Sequence, residues 1–149
     1  GQEAETVKPV NLTKLVIEVT ENTKRQGGII EMSGEPDIIS SVRPNSVKRC
    51  ITNLVENARR YASNIHLDIR KADEHIIVTV DDDGPGIPRE KRTDVFKPFY
   101  RLDTSRNTET GGSGLGMTIA RDVMHGHGGQ IRLSESPKSG LRVELLFPL

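Results

Sequence analysis

VTVDDDGPGIP, residues 78–88, alternates apolar and polar side chains and then meets three aspartates and two glycines around a proline. Ile76, Val78 and Val80 take one side of a strand with Asp82 behind them, while Ile77, Thr79 and Asp81 take the other. Asp82 therefore emerges at the end of a buried apolar row, on the side expected to carry helices. Asp81 and Asp83 are expected to face water or the loop. A carboxylate only accepts hydrogen bonds, so Asp82 suits a ligand that donates, such as an exocyclic amine. Gly84 and Gly86 let the backbone turn sharply and approach that ligand closely. A type I or II turn with proline at its second position explains the same residues without a ligand.

The segments around this strand set its context. Ile65, Leu67 and Ile69 alternate with His66, Asp68 and Arg70, a second strand just upstream. Before it, Pro44 opens a helix to about residue 62, with Val47, Cys50, Ile51, Leu54 and Ala58 as its apolar stripe. Asn11 caps an earlier helix over about 11–25, built on Leu12, Leu15, Val16 and Val19 and stopped by Gly27 and Gly28. IIEM, 29–32, reads as a short strand. Downstream, a helix over about 114–126 ends in glycines at 126, 128 and 129. QIRLSE and LRVELLF then read as strands around a turn near Pro137–Gly140. These elements predict an α/β fold: a two-layer α/β sandwich, a mixed sheet with helices packed on one face. YRLDTSRNTETGGS, 100–113, holds almost nothing apolar and predicts a mobile loop of the kind that forms lids.

At 149 residues the chain suits one domain, able to bury about 70% of its unfolded surface. Lys+Arg and Asp+Glu number 21 each, so no basic stripe points to nucleic acid. Cys50 stands alone and cannot form an internal disulfide, which fits a reducing compartment. No run approaches 18 apolar residues, so this piece is expected not to be membrane-bound. Gly1 stands where Met would, and residues 1–9 are polar. They predict a tail or linker ahead of a domain over 10–149, within a longer protein.

Two further patterns carry chemistry. Asn53, Asn57 and Arg60 fall at i, i+4 and i+7, one stripe of the helix at 44–62. Amide oxygens suit a hard cation and a guanidinium suits phosphate, although a solvated polar face is the plainer account of this pattern alone. GGSGLGM, 111–117, leads into a helix, where glycine amides and the helix dipole make an anion site. No Lys-Ser/Thr follows, so it is not a Walker A loop, and it leaves a loop and not a strand, so it is not a Rossmann fingerprint. A flexible hinge is its alternative.

In order, ENARRYAS (56–63), DDDGPGIP (81–88), FKPFYRLDTSR (96–106) and GGSGLGM resemble the catalytic ATP-binding domain of bacterial sensor histidine kinases, most closely the EnvZ-like branch. That family shares a superfamily with gyrase, the Hsp90 chaperones and MutL, and the resemblance spans about residues 10–149. It implies a Bergerat ATP-binding fold with a mobile ATP lid at about 97–113, and ATP and Mg²⁺ as cofactors. Asn57 would bind Mg²⁺, with Asn53 and Arg60 near the phosphates and Tyr61 beside the nucleotide. Asp82 would bond the adenine amino group, with Gly84, Gly86 and Ile87 shaping that pocket. Phe96 and Phe99 would anchor the lid, and Arg101 and Arg106 would reach the phosphates. Gly112, Ser113, Gly114, Leu115 and Gly116 would present amides and packing to the phosphate chain.

Departures from the family pattern are specific. Asp83 stands where many members carry Asn, and Arg43 replaces an aspartate that usually caps the helix at 44. No H-E-x-R-T-P segment occurs, and His66, His75, His125 and His127 lack that context. His125 and His127 read as structural. The resemblance thus implies a histidine kinase catalytic domain whose phosphoacceptor lies on a separate dimerisation domain of the same parent. A response regulator would lie downstream, and the parent would be a membrane sensor with this monomeric piece in the cytoplasm. The ATPases of the superfamily place a glutamate where Asn53 stands, and an amide cannot take a proton from water, which favours phosphoryl transfer over hydrolysis. A nucleotide-responsive binding module and an anti-sigma-factor-type serine kinase are the alternatives.

Overall fold

The computed structural model describes residues 5–97 and 116–149. Asn11 caps the first helix as its chemistry demands, its Oδ1 accepting from Lys14 N at 3.0 Å, and helix α1 runs Leu12–Arg25. It ends at Gln26 and Gly27, whose φ of 92° only glycine adopts freely. Helix α2 runs Pro44–Tyr61, with proline in its first turn. The third helix, α3, is described over Gly116–Gly126 and closes through Gly128, also at positive φ.

Seven strands are described: β1 Lys8–Asn11, β2 Ile30–Gly34, β3 Ile39–Val42, β4 Ile65–Lys71, β5 His75–Asp82, β6 Gln130–Glu135 and β7 Leu141–Pro148. Five form a sheet in the order β2-β4-β5-β7-β6, parallel at β2–β4 and antiparallel elsewhere, so the sheet is mixed as expected. β1 and β3 form a separate antiparallel ribbon that the periodicity does not reveal. KPVN and ISSV are only four residues each, and the residues next to them add long-range bonds to the ladder: Leu12 N donates to Ile38 O, and Ile38 N to Thr13 Oγ1. Pairing starts at Lys8, inside the stretch expected to be a tail. The strand expected over 29–32 is β2 and runs Ile30–Gly34.

The core lies between the sheet and one helical layer. Leu67, Ile69, Val78, Val80, Val143, Leu145 and Phe147 meet Leu12, Val16, Val47, Ile51, Val55 and Met124, all buried. Cys50 is fully buried, and burial pushes its thiol up to about 12, so it packs as a small apolar residue. Strand parity holds along β5. Ile76, Val78, Val80 and Asp82 face the helices, and Thr79 and Asp81 face the uncovered side of the sheet beside His66, Asp68 and Arg142.

Candidate functional site

The exit of β5 meets the end of α2. Asp82 Oδ1 accepts from Gly84 N at 2.9 Å and from Leu141 N at 3.0 Å, so the turn after β6 and the turn after β5 both close on one oxygen. Oδ2 receives no hydrogen bond from a described residue. A buried carboxylate, 7% exposed, thus holds one oxygen for structure and keeps the other for a donor. Gly84 packs onto the last turn of α2, where a Cβ would come within 2.9 Å of the Tyr61 carbonyl oxygen. Gly86 has φ 74°, and Ile87 after it turns into the core.

The three aspartates divide among three tasks. Asp81 does not face open water: it is 7% exposed, because the cross-strand Arg142 covers it with two parallel bonds of 2.8 Å, Nε to Oδ1 and Nη2 to Oδ2. Strand parity gives its direction correctly, but the neighbouring strand β7 decides its solvation. Asp83 faces the α2–β4 turn. It accepts from Asn64 N at 2.9 Å, Asn64 Nδ2 at 2.7 Å and Ser63 N at 2.8 Å. The Asn64 bonds, then the Ser63 bond, hold its carboxyl down to about 2. Because the folded value lies below the ordinary 3.8, this contribution to stability is present above about pH 4 and is lost as pH falls toward 2. Asp83→Asn keeps acceptors for the amides but sets an NH₂ against Asn64 Nδ2. Its denaturation midpoint should fall below the parent's at pH 7, and the difference should vanish near pH 2.

Gly140 is a site residue that motif reading misses. A Cβ there would fall on Asp82 Oδ1 and on the Asp82 carbonyl oxygen, and within 2.6 Å of Gly84 N. Only hydrogen fits, so the turn between β6 and β7 seals the back of the Asp82 pocket. Gly140→Ala should displace Asp82 and lower both stability and ligand affinity, as thermal melting and titration would show.

On α2, Asn53 and Asn57 are half-buried, and no described residue hydrogen-bonds to either carboxamide, so both oxygens are available. Arg60 and Tyr61 are exposed on the last turn, next to Gly84. Glu56 points away, 3.4 Å from Arg59, whose guanidinium also reaches Gln26 of the α1 end. Phe96, just before the end of the described stretch, is pinned to α3. Its carbonyl accepts from Thr118 Oγ1 at 2.8 Å and its ring lies 5.2 Å under the Arg121 guanidinium, so Thr118 and Arg121 join the site as partners that motif reading does not name. The expected contributions of Phe99, Arg101, Arg106, Gly112, Ser113, Gly114 and Leu115, with most of the lid, lie outside the described residues. Gly116 opens α3.

The last turn of α2, which follows Asn53 and Asn57 and carries Arg60, thus meets the end of β5 and its half-free carboxylate. The model of the histidine kinase-, DNA gyrase B- and HSP90-like ATPases matches residues 42–149, and the chain belongs to that family. Within it the relatives are sensor histidine kinases. The chain is 40% identical over 107 residues to the sensor histidine kinase CpxA of Escherichia coli, which covers 71% of the chain and 23% of CpxA. It is 35% identical over 144 residues to GtrS of Pseudomonas aeruginosa, covering 97% of the chain and 29% of GtrS. The histidine kinase domain of the E. coli osmosensor EnvZ superposes with a TM-score of 0.72 at 31% identity, covering 97% of this chain and 89% of that one. The ATP binding domain of PrrB from Mycobacterium tuberculosis has the same fold, with a TM-score of 0.81 at 23% identity over 97% and 98% of the two chains. The resemblance and the mixed two-layer fold expected from the sequence are both borne out. The chain spans only 23–29% of the length of these two curated relatives. Among the described residues, no helix is long and apolar enough to cross a membrane.

Proposed function

We propose that the chain binds Mg·ATP and delivers the γ-phosphoryl group to a histidine on a dimerisation domain of the same parent. The observation that carries this reading is the half-engaged Asp82. One oxygen is fixed by Gly84 and Leu141, and the other is left to accept from the adenine amino group. The α2 donors fit the rest of the nucleotide. Among the described residues no group of three His, Cys, Asp or Glu side chains is arranged to hold a metal ion. A hard cation here would therefore rest on the Asn57 amide oxygen and on phosphate oxygens, a donor set that suits Mg²⁺. Bound Mg²⁺ would neutralise phosphate charge, while Asn53 and Arg60 orient the phosphate chain and Tyr61 borders it.

Transfer is favoured over hydrolysis by the side chains along α2. Asn53 cannot take a proton, and Glu56, one residue before Asn57, is turned about 100° around the helix and held by Arg59. Water therefore finds no base at these two positions of α2, which favours a nucleophile brought by the acceptor. The kinase relatives favour histidine over serine as that acceptor. They also favour a two-component setting with a response regulator downstream and this domain on the cytoplasmic side of a membrane sensor. The test mixes the chain and radiolabelled ATP with a matching dimerisation domain. Acid-labile phosphate on that domain is the expected result. Acid-stable phosphoserine, or tight ATP binding without transfer, would replace the reading by the serine kinase or the binding module. Steady phosphate release by the chain alone would overturn the role given to Asn53.

A further inference from the structure

Helix α2 lacks a cap of its own. Arg43 sits at its N-cap with extended backbone and makes no side-chain capping bond, so its first amides need another acceptor. That acceptor arrives from far upstream. Glu5 Oε2 accepts from Asn45 N at 2.8 Å, and Oε1 accepts from Ser46 N at 3.0 Å. Arg43 fixes the same segment from the other side, its Nε donating to the Glu5 carbonyl oxygen at 3.1 Å.

Arg43 also reaches the end of α3. Its backbone amide donates to His127 Nε2 at 3.0 Å, and its Nη1 lies 3.5 Å from Gly126 O. An amide can only donate, so Nε2 is the bare nitrogen of the ring. Nδ1 then carries the proton and donates to Val123 O at 2.8 Å. Both ring nitrogens are used, which makes His127 a structural residue. One point therefore joins the entering chain, the start of α2 and the end of α3.

We propose that Glu5 is the remote cap of α2 and that the Glu5–Arg43–His127 cluster straps the segment entering the domain to both helices. Glu5 and Arg43 are then positioning residues, which set the direction in which the chain reaches β1 relative to the helix that carries Asn53, Asn57 and Arg60. The carboxylate that makes the cap is the Glu5 side chain. Partial desolvation raises its pKa, but the Asn45 and Ser46 bonds outweigh this and leave it below the ordinary 4.5. The charged groups facing it are Lys8 on β1 and the Arg43 guanidinium, with His127 beyond the Arg43 backbone. A lowered folded pKa means that the Glu5 contribution is fully present above about pH 4.5 and is lost as pH falls below it.

The test uses the 149-residue chain without nucleotide, so its failure leaves the ATP reading untouched. Thermal melting and amide hydrogen exchange are followed for the parent, Glu5→Gln, Arg43→Asp and the double variant. Glu5→Gln should lower Tm by about 2–4 °C at pH 7 and speed exchange at Asn45 and Ser46 about tenfold, and the Tm gap should narrow toward pH 4. Arg43→Asp restores a local cap, so adding Glu5→Gln there should cost nothing. If Glu5→Gln matches the parent at pH 7, or loses as much in the Arg43→Asp background, Glu5 is not the cap and the proposal falls.

Discussion

Asn57→Ala is expected to weaken Mg²⁺-dependent ATP binding by about a hundredfold or more, close to abolition in an ordinary titration, while leaving the fold intact. Asn57 is half-buried on the polar side of α2 and shares no hydrogen bond with a described residue, so its loss leaves no partner stranded. Alanine is also the better helix former, so the melting temperature should hold or rise slightly. The titration is run with Mg²⁺ and with chelator. The parent should lose affinity on chelation and the variant should not, because the variant would already lack the proposed protein ligand of the cation. An unchanged affinity in Mg²⁺ would remove the metal role from Asn57.

Asp82→Asn is the second large effect, and the geometry makes it a clean substitution. The amide keeps Oδ1, which accepts from Gly84 N and Leu141 N, and so keeps the two turns closed. On the proposed reading Oδ2 becomes an NH₂ that would face the adenine amino group donor to donor. A charge-assisted hydrogen bond contributes about 1.5–3 kcal/mol, so ATP affinity should fall by about 10- to 100-fold. The preference for ATP over GTP should shrink with it. Asp82→Ala would confuse the two roles, since it strands two buried amides as well. If Asp82→Asn binds both nucleotides as the parent does, Asp82 does not read the base.

Much of this site is visible in the chain because it is built from local patterns. Period-two alternation put Asp82 on the helical side of β5, and helical spacing put Asn53, Asn57 and Arg60 along one helix. The glycines flanking Pro85 marked a sharp turn, and Gly86 does take a positive φ. Other members have no local signature. Gly140 matters only because its Cα lies against the Asp82 carboxylate, and Thr118 matters only because its hydroxyl finds the Phe96 carbonyl. The β1–β3 ribbon escaped for the same reason, since its strands are too short to show a period.

The run of aspartates divides these two kinds of information. Sequence by itself determined which way each carboxylate leaves the strand, because alternation is a property of one extended chain. It also determined the family, through four ordered motifs. What surrounds each carboxylate was decided only by tertiary structure: Arg142 on β7 covers Asp81, Leu141 and Gly84 take half of Asp82, and Ser63 and Asn64 hold Asp83. The same holds at α2, where Arg43 announced a missing cap and a carboxylate some 40 residues upstream supplied it. Direction is local, whereas solvation and pairing depend on strands and turns that meet only when the chain has folded.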